Sequence, residues 1–302
     1  MNSKAGWSAV ALWAGVMAAG ADELAEAGRR IMKAHEGSVV TLQLVISQEM
    51  SMSGRQAGRE EEKTEVTGTL IDPSGLVVAS LVTTDPGDLM ANLMGAGSGM
   101  PEGMQFQTTI KDAKVRLGDG RELPYRVVLR AKDLDLIFFR VAQKPEAALP
   151  AVAPAEAGVA QALDEVIVVN RMGHVAGRSV AAAVSRISAV VEKPRKYYAI
   201  GQDTGMAGLG SPVFTPDGKY LGMMALRSVP AQGRPGMSAM LGGGLSLGLL
   251  PIVVPADQIA EAASQAPQAP PKEEKKAPAK ADVKPASAPA AESAAPAAPR
   301  EP

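Results

Sequence analysis

Short apolar runs separated by turn residues restrict the fold of this chain more than any other feature of its 302 residues. Asp72-Pro73-Ser74-Gly75 is a strong hairpin signal, because proline fixes φ at the second turn position and glycine accepts a positive φ. Gly118-Asp119-Gly120 separates another pair of runs. The predicted strands cover residues 38–46, 64–71, 76–82, 113–117, 122–130, 135–141, 164–170, 180–191, 197–200, 212–215, 220–227 and 249–254. Repeated short strands are typical of β-sandwiches and β-barrels.

The two ends of the chain differ from this middle part. Lys4 precedes an apolar stretch, residues 7–19, that is short for a membrane span. Ala19-Gly20-Ala21 has small residues where a signal peptidase cleaves, so residues 1–21 are predicted to be a cleaved signal peptide; an uncleaved anchor is the alternative. Residues 264–302 are almost entirely Ala, Pro, Lys, Glu and Ser and are predicted to be disordered, because they cannot bury enough apolar area. We expect export to the periplasm or the extracellular space, with no membrane span after cleavage.

Composition excludes several classes of function. A formal net charge of −1 and 3% aromatic residues exclude nucleic-acid binding by bulk positive charge or by base stacking. Without cysteine there is no disulfide, thiolate zinc site, iron–sulfur cluster or cysteine nucleophile. The two histidines, His35 and His174, are too few for a site with several imidazole ligands. We therefore expect no cofactor and no metal.

Two further segments have alternative interpretations. Met90, Met94, Met100 and Met104 lie in a glycine-rich insertion over residues 83–110. Clustered thioethers can bind monovalent copper, but methionine also fills flexible apolar surfaces, so a mobile flap or a partner contact is the preferred interpretation. The charged run 59–63, Arg-Glu-Glu-Glu-Lys, is predicted to be the solvated tip of a hairpin.

Five segments, taken in chain order, carry a resemblance to a known family. They are residues 68–78 (GTLIDPSGLVV), 114–130, 132–137 (KDLDLI), 208–222 (GLGSPVFTPDGKYLG) and 249–255 (LLPIVVP). Together they resemble trypsin-like serine proteases of the Deg/HtrA type. The resemblance implies an all-β fold of two six-stranded antiparallel β-barrels with short terminal helices and a disordered tail. An N-terminal helix and the first barrel would occupy residues 22–150, the second barrel and a closing helix residues 151–263, and the tail residues 264–302.

The same resemblance assigns the catalytic positions. In this family a serine oxygen attacks the peptide carbonyl, a histidine accepts the serine proton and an aspartate orients the histidine. Here Val82 occupies the histidine position, Asp135 the aspartate position and Leu209 the serine position. Valine cannot accept a proton and leucine offers no nucleophile. The resemblance therefore implies a degenerate triad with no catalytic residues.

Three functional hypotheses follow from these residues. The first is a catalytically inactive, exported pseudoprotease of the bacterial envelope that binds a protein or peptide, for example by strand addition in the cleft between the barrels. The second is an active serine endopeptidase with a rearranged site that uses Ser211. The third is an envelope protein whose tail binds the cell wall. Asp135 is expected to bond backbone amides, and His35 and His174 to be exposed or locally bonded.

Overall fold

The computed structural model describes residues 23–52, 55–87, 104–201, 205–228 and 249–267. Its strands are β1 (Val39–Met52), β2 (Arg55–Asp72), β3 (Leu76–Ser80), β4 (Met104–Arg116), β5 (Glu122–Ala131), β6 (Leu136–Val141), β7 (Glu165–Arg171), β8 (Val180–Val191), β9 (Tyr197–Ile200), β10 (Pro212–Phe214), β11 (Tyr220–Ser228) and β12 (Leu249–Pro255). Its helices are α1 (23–35), α2 (Leu81–Thr84) and α3 (Ala256–Ser264). Single 3-10 turns cover Lys132–Leu134, His174–Ala176 and Met206–Gly208.

The twelve strands form two closed antiparallel barrels of six strands each. The strand order is β1-β2-β3-β6-β5-β4 in the first barrel and β10-β11-β12-β9-β8-β7 in the second. The chain passes from one barrel to the other between Val141 and Glu165. The predicted all-β double barrel is therefore confirmed.

Three apolar cores stabilise the structure: one inside each barrel and one between the two barrels. Alternate residues of each strand point to opposite faces, so each barrel encloses one set of side chains and turns another set outward. Leu42, Val77 and Phe139 belong to the core of the first barrel, and Val168 and Leu221 to that of the second. The third and largest core lies between the barrels. Its members come from α1, the first barrel, the second barrel and α3, and include Ile31, Phe138, Phe214, Val254 and Ile259.

The hairpin that joins β2 to β3 follows from local turn chemistry, as the sequence indicates. The Gly75 amide donates to the carbonyl of Asp72 at 2.9 Å, and the Ser74 amide donates to the Asp72 side chain at 2.6 Å. Gly75 has φ 96°, a conformation that residues with a Cβ rarely adopt. This turn places β3 beside β2, and the residues that follow β3 then reach the cleft between the barrels.

Several sequence predictions of element bounds were wrong. The charged run 59–63 is not a hairpin tip, because it lies within β2 and pairs with residues 45–49 of β1. The third predicted strand ends at Ser80 rather than residue 82, since the chain turns there into α2. β4 begins at Met104, so the last part of the insertion is strand. Met90, Met94 and Met100 lie outside the described residues, as do residues 1–22 and 268–302.

No helix within the described ranges has the length and apolar character that a bilayer crossing would require.

Candidate functional site

The Asp135 carboxylate joins the two barrels. Asp135 follows the 3-10 turn Lys132–Leu134 and has φ 56°, which aims its side chain towards the start of α2. One carboxylate oxygen, Oδ1, accepts the Val82 amide at 2.8 Å. The other, Oδ2, accepts the Ser80 hydroxyl at 2.5 Å and the Leu226 amide of β11 at 2.8 Å. One side chain of the first barrel therefore holds a strand of the second.

Burial changes the acidity of this carboxylate. It raises the pKa of Asp135 to about 6, although the hydrogen bonds from Ser80, Leu226 and Val82 favour the charged form. A carboxylate with a pKa this high changes charge within a mildly acidic pH range. The three donors hold the charged carboxylate in one orientation.

Val82 lies in the first turn of α2, directly beside Asp135. Its backbone amide is the group that bonds the carboxylate, and its half-buried side chain is hydrocarbon. The structure therefore brings two of the three positions inferred from the sequence into direct contact. No proton acceptor is present on the Val82 side chain.

The segment from Leu209 to Ser211 is fixed against β2. The Gly210 amide donates to the carbonyl of Met224 at 2.8 Å, and its carbonyl accepts the Thr69 hydroxyl at 2.9 Å. Gly210 has φ 84°, and a Cβ at this position would lie 2.1 Å from the carbonyl oxygen of Thr67. Only glycine fits this close approach, and it holds the Leu209 side chain, which is 3% exposed, at the junction of the barrels.

Ser211 occupies a closed environment. The residue is fully buried, and its hydroxyl has no hydrogen-bond partner among the described residues. Its backbone amide donates to the carbonyl of Gly208 at 3.1 Å, and its carbonyl accepts the Met224 amide at 2.9 Å. The side chain therefore points into protein rather than into an open cleft.

Neither histidine bonds Asp135 or Ser211. The His35 ring stacks on Phe214 of β10, with 4.3 Å between the ring centroids. His35 is locally bonded through its backbone, since its carbonyl accepts the Ser38 hydroxyl at 2.7 Å, but its ring is half-buried against the second barrel rather than exposed, and burial lowers its pKa. His174 is exposed on the turn between β7 and β8. Within the described residues, no imidazole is in a position to activate a serine.

A cleft of about 220 Å³ lies between the barrels; we call it the interbarrel cleft. Its lining residues come from both barrels and from the segments beside the inferred catalytic positions: Thr41, Glu65, Val66, Thr67, Thr83, Arg171, Met172, Gly173, Ala207 and Leu209. Arg171 fixes one wall, because its guanidinium donates to the carbonyls of Val39, Glu36 and Arg178 at 2.8, 2.8 and 3.1 Å. The cleft is therefore an ordered surface.

The end of β11 leaves part of one backbone edge without a strand partner. β12 pairs with residues 222–228, whereas β10 pairs only with residues 220–223. The Leu226 amide donates to Asp135 and therefore points away from β12. On β12, the residue paired with Leu226 is Pro251, which has no amide to donate. By strand alternation the backbone of Ser228 faces the same way. Among the described residues, no strand pairs with this side of residues 225–228.

The groups that support these positions have no signal in the local sequence. Ser80, Thr69 and the Leu226 amide contact Asp135 or Gly210 from other strands, so no local pattern marks them. Gly210 is a partial exception, because a glycine directly before Ser211-Pro212 is a sequence signal of a special backbone conformation. The described residues hold no group of three or more His, Asp or Glu side chains that could bind a metal ion.

The chain was compared with known protein families, curated proteins and solved structures. A sequence model for the trypsin-like peptidase domain matches residues 66–223. No curated protein matches the chain. Among solved structures, the chain is similar to the active form of the Rv3671c protease from M. tuberculosis, with 19% identity and a TM-score of 0.47, covering 80% of this chain and 86% of that one.

Two further solved structures show a similarity of the same degree. The MamO protease domain from Magnetospirillum magneticum has 13% identity and a TM-score of 0.43, and the match covers 76% of this chain and 96% of that one. The HtrA-type protease AlgW, solved with a tripeptide, has 14% identity and a TM-score of 0.45, covering 78% of this chain and 61% of that one.

Proposed function

The chain belongs to the trypsin-like peptidase domain family, and from this we propose that it is an exported member without peptidase activity that binds protein or peptide, or acts as a scaffold, in the bacterial envelope. One observation carries the proposal. Val82 lies against the Asp135 carboxylate where the family places a histidine, and Leu209 stands where the family places the serine. Both side chains are hydrocarbon, so two of the three catalytic roles have no chemical group to perform them.

The surroundings of Ser211 also support loss of activity. An alternative nucleophile needs an accessible oxygen and a base within hydrogen-bond reach. The Ser211 hydroxyl is fully buried and has no hydrogen-bond partner among the described residues, the His35 ring stacks on Phe214, and His174 is exposed on the turn between β7 and β8. An active endopeptidase that uses Ser211 would require both the segment 209–211 and one histidine to move.

The interbarrel cleft and the β11 edge supply a binding mode. An extended peptide can add to an unpaired strand edge through backbone hydrogen bonds, while its side chains occupy neighbouring pockets. The Leu226 carbonyl and the backbone of Ser228 lie on the unpaired side of β11. Bonding of the Leu226 amide to Asp135 holds this edge in place without a substrate.

Export is part of the proposal and rests on the N-terminal sequence. Lys4, the apolar stretch 7–19 and Ala19-Gly20-Ala21 have the order of a secretory signal, with cleavage before Asp22. A binding module released in this way works in the periplasm or outside the cell.

Labelling with a fluorophosphonate probe, together with a casein cleavage assay, tests the loss of activity. We expect neither labelling nor cleavage by the purified protein, with trypsin as the positive control. Ser211→Ala should leave both readouts unchanged and raise the free energy of unfolding by about 1 kcal/mol, because it removes a buried hydroxyl without a partner. Thr69→Val, which removes a buried hydroxyl that is bonded, should lower it by about 1 kcal/mol. Specific labelling of one serine, abolished by Ser211→Ala, would establish the active-protease alternative instead.

A further inference from the structure

A second groove lies on the outer face of the first barrel; we call it the outer-face groove. It has a volume of about 560 Å³. Its lining residues come from β1, β2, β4 and the turn between β7 and β8: Gln43, Leu44, Val45, Lys63, Thr64, Glu65, Asp112, Lys114, His174 and Arg178. None of the catalytic positions inferred from the sequence belongs to this set.

Strand register builds the floor of the groove. Gln43 on β1 pairs with Glu65 on β2 and with Lys114 on β4, and two residues further along β1, Val45 pairs with Lys63 and Asp112. Paired residues of an antiparallel ladder share a face, so these side chains form two adjacent rows. Lys63 and Lys114 lie on the two strands that flank β1 and in adjacent rows, which puts their backbones about 12 Å apart. Two cationic side chains therefore stand on opposite sides of a strip formed by Gln43 and Val45.

One ion pair fixes the wall of the groove to its floor. The Arg178 guanidinium donates to both carboxylate oxygens of Glu65, at 3.1 and 2.6 Å, and Gln43 donates to the same carboxylate at 3.2 Å. These contacts lower the pKa of Glu65, so the carboxylate stays charged and is occupied by its own partners. Glu65 therefore adds little negative potential for an incoming ligand.

The remaining charges of the groove favour an anionic ligand. Within the described residues, Lys63 and Lys114 form no ion pair, and both side chains are exposed. The free carboxylate of the groove is that of Asp112 on β4, which lies across β1 from Lys63. Within the groove lining, two ammonium groups therefore stand against one free carboxylate beside a neutralised ion pair, an arrangement in which Lys63 and Lys114 can pair with the carboxylates of a ligand.

The outer-face groove lies next to the interbarrel cleft. Glu65 lines both, and the turn between β7 and β8 separates them, with Met172 and Gly173 towards the cleft and His174 towards the groove. Met172 and Val175 on this turn are 47% and 97% exposed, so the ridge between the two sites presents apolar surface. A polypeptide in the cleft can therefore pass over an apolar ridge and reach the two lysines.

We propose that the outer-face groove is an exosite for an acidic segment of an extended polypeptide whose adjoining residues occupy the interbarrel cleft. The proposal rests on the proposed function, since it names the partner chemistry of the same binding surface. The cleft and the β11 edge bind backbone and apolar groups, whereas Lys63 and Lys114 select carboxylates. Selection therefore depends on charge, and it weakens as salt screens the lysines.

Binding of two permanently unfolded proteins of opposite charge tests the exosite. The probes are fluorescein-labelled reduced carboxymethylated α-lactalbumin, which is acidic, and reduced carboxamidomethylated lysozyme, which is basic, with affinity measured by fluorescence anisotropy. The double variant Lys63→Glu/Lys114→Glu should bind the acidic probe about tenfold or more weakly than the wild type. Its affinity should also depend less on salt.

The control is the double variant Lys33→Glu/Lys144→Glu, which changes net charge equally at exposed positions outside both sites and should bind like the wild type. Thermal unfolding checks that both variants fold.

The possible outcomes separate the exosite from the proposed function. Selective loss of acidic-probe binding in Lys63→Glu/Lys114→Glu supports the exosite. If both double variants bind the acidic probe equally well, the exosite is overturned, while polypeptide binding stands. If the wild type binds neither probe, the proposed binding function fails and the exosite fails with it.

Discussion

At the scale of single residues, Asp135 performs a structural task that needs no histidine. Its two oxygens receive donors from β3, α2 and β11, so the group connects the barrels whether or not catalysis occurs. The fold alone therefore gives this carboxylate a function beside Val82. Burial of the charge nevertheless opposes folding, which makes this contact sensitive to pH.

Asp135→Asn should remove one component of the pH dependence of stability. Folding raises the pKa of Asp135 from 3.8 to about 6, so the folded state binds the proton more tightly than the unfolded state. The contribution of this group is therefore most favourable below the unfolded pKa and declines as pH rises through the folded pKa. Between pH 4.5 and 7.5 the wild type should lose about 2 kcal/mol relative to the variant. Urea unfolding of both proteins at the two pH values measures this difference, and parallel pH profiles would contradict it.

At the scale of elements, one close contact sets the distance between the barrels. It lies between β2 and the segment that precedes β10. Gly210 bonds β11 through its amide and Thr69 through its carbonyl, and its Cα faces the Thr67 carbonyl. The contact has no space for a side chain. The spacing between the barrels at Leu209 therefore depends on a single glycine.

Gly210→Ala should destabilise the fold by roughly 3 kcal/mol, because the new methyl group would clash with the Thr67 carbonyl at a positive φ. Gly28→Ala is the matched control. Gly28 lies in α1 with no atom within 4 Å of a Cβ there, and alanine favours helix, so we expect a gain of roughly 0.5–1 kcal/mol. Denaturant unfolding of the two variants gives both values. An unchanged stability of Gly210→Ala would show that the two segments separate easily.

At the scale of the whole molecule, the core between the barrels makes them interdependent. Two adjacent residues of β6 belong to different cores: Phe138 to the core between the barrels and Phe139 to the interior of the first barrel. Both are fully buried. α1 and α3 complete the shared core with Ile31 and Ile259, so neither barrel covers its outer apolar face alone.

The wild type should therefore unfold in one cooperative transition, with amide exchange in both barrels reporting the same free energy. Phe138→Ala and Phe139→Ala should each lower this free energy by about 3–5 kcal/mol. Phe139→Ala should keep a single transition, whereas Phe138→Ala should let the exchange of the two barrels diverge, because it weakens their shared core. Loss of protection confined to the first barrel in Phe139→Ala would mean that the barrels unfold independently.

Features that depend on neighbouring residues could be predicted from the amino-acid sequence. Asp72-Pro73-Ser74-Gly75 encodes its own turn through a fixed proline φ and a glycine, so the β2–β3 hairpin is readable locally. Short runs that are wholly or alternately apolar likewise marked most strands, and β3 and β6 are buried throughout because one face lines the first barrel and the other the core between the barrels. The run 59–63 was misassigned because it has charged side chains on both faces of a strand, and the period-2 signal disappears there.

Contacts between residues far apart in the chain could be established only from the folded structure. The contact of His35 with Phe214 and the bond from Leu226 to Asp135 each join segments far apart in sequence. The same is true of Lys63 and Lys114, which share a face because β2 and β4 both pair with β1. Such proximity arises from strand register and barrel closure, which are long-range pairings that no local pattern of side chains encodes.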